Sequence, residues 1–146
     1  MARVLVVYNS MTGNTEAAAQ AVAKGAEEAG AKVVLKTARR ATVADLVDCG
    51  GVALGSYDAF SYMGGDLKDF FDRVFYPTQG KVADKPYVAF VTHGGGGAAI
   101  NSIEALAGTL KLKKAAPSVS VKGRPDEKAG AELMALGAKL AQAAGK

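Results

Sequence analysis

Five strand-length runs rich in apolar residues, each followed by a segment with helical spacing, constrain the fold of this chain more than any other feature. Val4-Leu5-Val6-Val7 sits inside "RVLVVY" (Arg3–Tyr8), and "NTEAAAQAVAKGAEEAG" then runs helically from Gly13 to a stop at Gly30. "KVVLKT" (Lys32–Thr37) is a second strand, with a helical turn expected over Val43–Leu46 before a third strand, "GVALGS" (Gly51–Ser56). In "GDLKDFFDRVFY", Leu67, Phe70, Phe71, Val74 and Phe75 recur at spacings of three and four, one apolar helix face. "PYVAFVTH" (Pro86–His93) is a fourth strand, followed by four glycines and the helix "AAINSIEALAGTLK". "APSVSVKG" (Ala116–Gly123) is the fifth, and "PDEKAGAELMALGAKLAQAA" closes as a helix with proline and acids in its first turn.

Strands that are apolar throughout have both faces covered, which is the condition of a parallel sheet between helical layers. With right-handed crossovers, the expectation is an α/β doubly wound, five-stranded parallel sheet in the order 2-1-3-4-5 with helices on both faces. The 146 residues are read as one domain, 1–146, with no repeat or linker. No apolar run is long enough for a membrane span or a signal-peptide core, so the expected location is cytoplasmic. The lone Cys49 cannot form an internal disulfide and is read as a small buried hydrophobe. Net charge is +4, yet Arg39-Arg40, Lys111, Lys113-Lys114, Lys122 and Arg124 are dispersed, without interleaved aromatics. That pattern excludes a nucleic-acid stacking platform and leaves solvated faces. One histidine and no cysteine cluster exclude a metal site.

In the expected order, the loops leaving strands 1, 3 and 4 meet at the edge where α/β sheets bind ligands. The first is Ser10-Met11-Thr12-Gly13-Asn14-Thr15. It carries hydroxyls, an amide and a glycine but no cation. It matches neither the P-loop, which needs Gly-Lys-Ser/Thr, nor G-x-G-x-x-G. A helix N-terminus can hold a phosphate on backbone N–H groups alone, which suits a phosphate that is kept rather than transferred. The competing reading of this stretch is a helix cap. The second loop, Gly55 to Asp66, crowds Tyr57, Phe60, Tyr62 and Met63 beside Gly64-Gly65. Those rings can stack on a flat ligand, or some can tuck into the core. The third, Thr92-His93-Gly94-Gly95-Gly96-Gly97-Ala98-Ala99, offers bare backbone for a broad planar group. Together the loops outline a ligand with a terminal phosphate, a polar linker and a wide ring, and FMN fits that outline.

At these residues the chain resembles the flavodoxin family along nearly its whole length. "SMTGNT" is similar to the family's FMN-phosphate loop, T/S-x-T-G-x-T. "GSYDAFSYMGGDLKDFFDR" resembles the second-loop segment of the WrbA-type quinone reductase branch, matching at Gly55, Ser56, Phe60, Met63, Leu67, Lys68, Phe70 and Asp72. The resemblance implies that Ser10, Met11, Thr12, Gly13, Asn14 and Thr15 bind the FMN phosphate. It also implies that Asp58, Ala59, Phe60 and Ser61, with Thr92, His93, Gly94, Gly95, Gly96 and Gly97, flank the ring. It further implies that a second-loop carbonyl turns toward flavin N5, with Gly64-Gly65 or Ser61 supplying the freedom. Asp58 and Asp66 are the candidate negative charges beside the ring.

Tyr57, Asp58 and Ser61 depart from that branch, which has proline, threonine and glycine there. The basic balance departs from electron-carrying flavodoxins, which are typically acidic. Three functions follow. The first is a low-potential FMN electron carrier working between redox partner proteins. The second is an FMN-dependent NAD(P)H:quinone oxidoreductase, and the third a flavin-free binding module. The expected assembly is a monomer or small homo-oligomer, without nucleic acid or membrane.

Overall fold

The computed structural model of the chain describes residues 2–146. Its elements are β1 (Arg3–Asn9), α1 (Asn14–Glu28), β2 (Lys32–Thr37), α2 (Val43–Asp48), β3 (Gly51–Ala59), β4 (Tyr62–Met63), α3 (Gly65–Phe75), β5 (Pro86–His93), α4 (Ala99–Thr109), β6 (Lys113–Lys114), β7 (Val119–Lys122) and α5 (Glu127–Ala144). β2, β1, β3 and β5 lie side by side and parallel, and β7 pairs with β5 from Phe90↔Val119 to His93↔Lys122. The five long strands therefore take the expected 2-1-3-4-5 order, with β5 and β7 as its fourth and fifth members.

Strand alternation splits the core in two. Leu5 and Val7 of β1, Val52 and Leu54 of β3, and Ala89 and Val91 of β5 pack toward α3 and α4 around Phe70 and Ile103. Val4, Val6, Ala53, Val88 and Phe90 face α1 and α5, packing with Val22, Leu133 and Leu140. Fully burying side chains such as Phe70 and Phe90 contributes roughly 1.5–3 kcal/mol each. On the α1–α5 side, small residues allow close contact: α1 buries Ala18, Ala19, Ala23 and Ala26.

Three local expectations need correction. The stretch Gly55–Asp66 is not a loop throughout. β3 continues to Ala59 and turns back antiparallel as β4, with Asp58↔Met63 and Ala59↔Tyr62 as partners. Side-chain brackets on the backbone stabilise this hairpin. The Ser61 N–H donates to Asp58 Oδ1 (2.8 Å), the Met63 N–H to Ser102 Oγ (3.0 Å) and the Gly64 N–H to Ser56 Oγ (2.7 Å). The fifth strand is shorter than Ala116–Gly123, because Pro117 has no N–H to give the ladder. Its place along the outer edge of β5 is shared with β6, which pairs at Pro86 and Tyr87. The turn expected at Val43–Leu46 is the helix Val43–Asp48, started by a reciprocal cap in which Thr42 and Asp45 each bind the other's backbone N–H.

Candidate functional site

The carboxyl ends of β1, β3 and β5 lie adjacent in the sheet, so the three loops of interest leave it side by side. They meet in a cavity of about 200 Å³, lined by Thr12 and Asn14 of the first loop, Tyr57 and Asp58 of β3, Thr92, His93 and Gly94 after β5, and Gly123 after β7. Ser10, Met11 and Gly13 face a second concavity of about 300 Å³ on the other side of the same loop, where Arg39 and Asp66 also contribute. The first loop is thus a wall between two depressions. Arg39, from the β2–α2 turn, lines that depression together with residues of a loop that has no cation of its own. Arg73 fixes that turn by donating to the carbonyls of Ala38 (2.6 Å) and Ala41 (2.8 Å).

Side chains tie the walls together. Thr15 and Thr92 share a hydrogen bond between buried hydroxyls (2.7 Å). Asn9 Oδ1 accepts from the Asp66 and Leu67 N–H groups at the start of α3 (3.1 and 3.3 Å). Asp58 spends both carboxylate oxygens on backbone donors, Oδ1 on Ser61 and Oδ2 on Ala99 at the start of α4 (3.0 Å). On the far side of the first loop, Tyr8 donates to Glu16 (3.1 Å). Burial, then the Glu16 carboxylate, pushes its phenol above the usual value.

Three features in and around the cavity fit a flat ligand with a phosphate. No side chain caps α1, whose N-cap is Gly13; Ser10 Oγ accepts from the Gly13 N–H instead (3.1 Å). The competing reading of "SMTGNT" as a side-chain helix cap therefore fails, and the first-turn N–H groups have no capping side chain to satisfy them. Positions 13, 94 and 95 have nothing within 4 Å of where a Cβ would stand, so the backbone there is open to close approach. His93 Nδ1 is buried and has no hydrogen-bond partner among the described residues, so a ligand group there could satisfy it.

Not every candidate faces this cavity. Phe60 and Ser61 form the two-residue turn between β3 and β4, both at positive φ (56° and 69°), and Phe60 projects into solvent with 102% relative exposure. Met11 is also largely exposed, at 74%. Gly95 and Gly96 are exposed, whereas Gly97 is buried at φ 83° against the His93 ring. Of the two aspartates expected near a ring, Asp58 lines the cavity with all three loops and Asp66 lines the other depression. Tyr57 and Gly123 also line the site. Tyr57 belonged to the aromatic stretch, while Gly123 is brought there only by the pairing of β7 with β5. Among the described residues no cluster of metal-ligating side chains occurs, and no helix is long and apolar enough to cross a membrane.

Comparison with known proteins bears on family and fold. A "Flavodoxin" of Aquifex aeolicus is 38% identical over 98 residues, covering 66% of this chain and 53% of the relative. An "NAD(P)H dehydrogenase (quinone)" of a Chelativorans species is 33% identical over 129 residues, covering 71% of this chain and 65% of the relative. The chain thus spans between about half and two thirds of the length of these two relatives. A solved flavodoxin from the domain Archaea superposes with a TM-score of 0.91 at 24% identity, over 99% of both chains. A WrbA-like protein from Agrobacterium tumefaciens does so with 0.82 at 22%, over 99% of this chain and 98% of the other; at these identities the likeness is one of fold. The family model described as Flavodoxin matches residues 6–135, first strand to last helix, and the chain belongs to the flavodoxin family.

Proposed function

We propose that this chain is an FMN-binding electron carrier, taking electrons from one redox protein and passing them to another. One observation carries the reading: a single cavity is built jointly by the three loops at the carboxyl edge of the sheet, beside a helix start that no side chain caps. Thr12, Gly13 and Asn14 would hold the phosphate with the N–H groups of α1. Tyr57, Asp58 and the backbone from Thr92 to Gly94 would receive the ring, and His93 Nδ1 would gain a partner. Bound FMN supplies the redox chemistry; the chain sets how tightly it is held, how it is oriented and what charge surrounds it. The fixed carboxylate of Asp58 disfavours added negative charge nearby, which lowers the potential.

A second reading, an FMN-dependent NAD(P)H:quinone oxidoreductase, is favoured by the quinone dehydrogenases among the relatives and by a cavity that holds the only histidine. One series of measurements tests both. Added FMN should lose its fluorescence at one equivalent of protein, and anaerobic NADPH alone should leave the yellow colour in place. If FMN fluorescence does not change, the chain is a flavin-free binding module. Rapid bleaching by NADPH, followed by turnover with a quinone, would establish the oxidoreductase instead.

A further inference from the structure

The hairpin turn between β3 and β4 departs from ordinary backbone chemistry. A two-residue hairpin with both central residues at positive φ is normally made by Asn-Gly or Asp-Gly. Here Phe60 and Ser61 occupy those positions, and for a bulky residue such as phenylalanine this region is strained. The turn gains little from packing, since Phe60 is fully exposed. Something outside the turn must hold it, and Asp58 supplies the bond through Oδ1 to Ser61 N–H.

The same carboxylate serves α4. That helix has Ala98 at its N-cap and no side-chain cap of its own, and its first N–H, on Ala99, donates to Asp58 Oδ2. α4 begins directly after the four-glycine stretch. One carboxylate therefore fastens the second loop to the element that anchors the third, while also lining the cavity between them.

We propose that Asp58 is a positioning residue that sets the separation of the two loops flanking the FMN ring and acts as a fixed negative charge at that site. This rests on the reading of the cavity as the FMN site. Each oxygen holds one wall: without Oδ1 the strained turn relaxes, and without Oδ2 the start of α4 frays and Gly94–Gly97 loses its anchor. Charged acceptors make the stronger hydrogen bonds, so a single side chain suffices for both tasks.

The cross-tie itself is tested without ligand. In apoprotein carrying Asp58→Ala, amide exchange at Ser61 and Ala99 should both accelerate at least tenfold. The Asp45 amide, held by the separate Thr42 cap, should not change. FMN affinity, read by fluorescence quenching, should fall at least tenfold. The substitution pair Phe60→Asn and Ser61→Gly, added to Asp58→Ala, should recover part of that loss, because those residues adopt positive φ unaided. Asp58→Asn keeps one acceptor oxygen and folds if the alanine variant does not. It should accelerate exchange at one of the two amides and, by removing the charge, raise the midpoint potential of bound FMN. Unchanged exchange at both amides would overturn the cross-tie, and wild-type affinity in Asp58→Ala would overturn its role in positioning. An unchanged potential in Asp58→Asn would overturn the role of the charge. Wild-type protein that fails to bind FMN would strike the functional reading instead, leaving the exchange result to decide the cross-tie.

Discussion

The hydroxyls of Thr15 and Thr92, 77 positions apart in sequence, lie 2.7 Å from each other with both residues sealed from solvent. One belongs to the first turn of α1 and the other to the end of β5, so the bond holds the first loop against the third. A buried hydroxyl left without its partner costs about 1–3 kcal/mol, whereas removing both partners together can be nearly neutral. Thr92→Val should therefore destabilise the protein by an amount in that range. Thr15→Val with Thr92→Val should recover most of it. Denaturant melts of the two single variants and the double variant supply the cycle, and strictly additive losses would show that the two hydroxyls do not act as a pair.

Gly64 and Gly65 separate the scaffold from open space. A Cβ at Gly64 would fall on Asn9 Oδ1 and lie 2.8 Å from the Tyr57 ring, displacing the side chain that caps α3 and one that lines the cavity. At Gly65 a Cβ would meet nothing within 4 Å. Gly64→Ala should cost more than 1 kcal/mol and weaken FMN binding, and Gly65→Ala should leave both nearly unchanged. Thermal melts and FMN quenching on the two variants check this; equal effects would mean that the contact with Asn9 is not the cause.

The layered fold was legible because its signals are local: apolar runs at strand length, helical spacing, and turn glycines such as Gly30. That the three loops border one cavity was legible from the strand order; which side chains line it was less so. "SMTGNT" reads equally as a cap or a cradle in the sequence, and the structure removes only the side-chain cap. The turn at Phe60-Ser61 was not legible, since neither residue is a usual positive-φ residue. Its cause, Asp58 reaching both Ser61 and Ala99, depends on a contact across 41 positions. Arg39 came into the picture only because β2 borders β1.

Acid should weaken the start of α2. Asp45 accepts from Lys36 Nζ (2.9 Å) and from the Thr42 N–H (2.9 Å). Partial burial pushes its carboxyl up, but the Lys36 and Thr42 bonds outweigh that and hold it below the usual value of 3.8. A depressed folded-state pKa means the unfolded chain binds the proton first. The stabilisation is therefore full above about pH 4 and is lost as pH falls through the lower folded value. Asp45→Asn should cost roughly 1 kcal/mol at neutral pH, mostly as a lost cap, and should flatten the stability curve below pH 4. Urea melts from pH 2 to 7 measure it, and parallel curves for the two proteins would remove Asp45 from the account.

Away from the site, α1 and α5 cross with backbone close to backbone. A Cβ at Gly25 would overlap the Met134 carbonyl, and one at Gly137 would overlap the Val22 carbonyl. Backbone cannot step aside as a side chain can, so either alanine must push the helices apart. That separation would open the packing of Val22 against Leu133 and Leu140. Overpacking of this kind costs typically 1–3 kcal/mol, and here it acts against the gain of about 1 kcal/mol that alanine normally brings to a helix interior. Gly130, in the first turn of the same α5, has open space around it and serves as the control. Gly25→Ala and Gly137→Ala should each lower the melting temperature by several degrees, while Gly130→Ala leaves it unchanged or raises it. Because both crossing points lie on the α1 side of the sheet, loosening them also shifts the helix whose start, at Asn14, borders the cavity. FMN affinity should then fall in the two destabilised variants and stay constant in Gly130→Ala. If affinity holds while stability drops, the position of α1 is set by β1 and the loops rather than by α5.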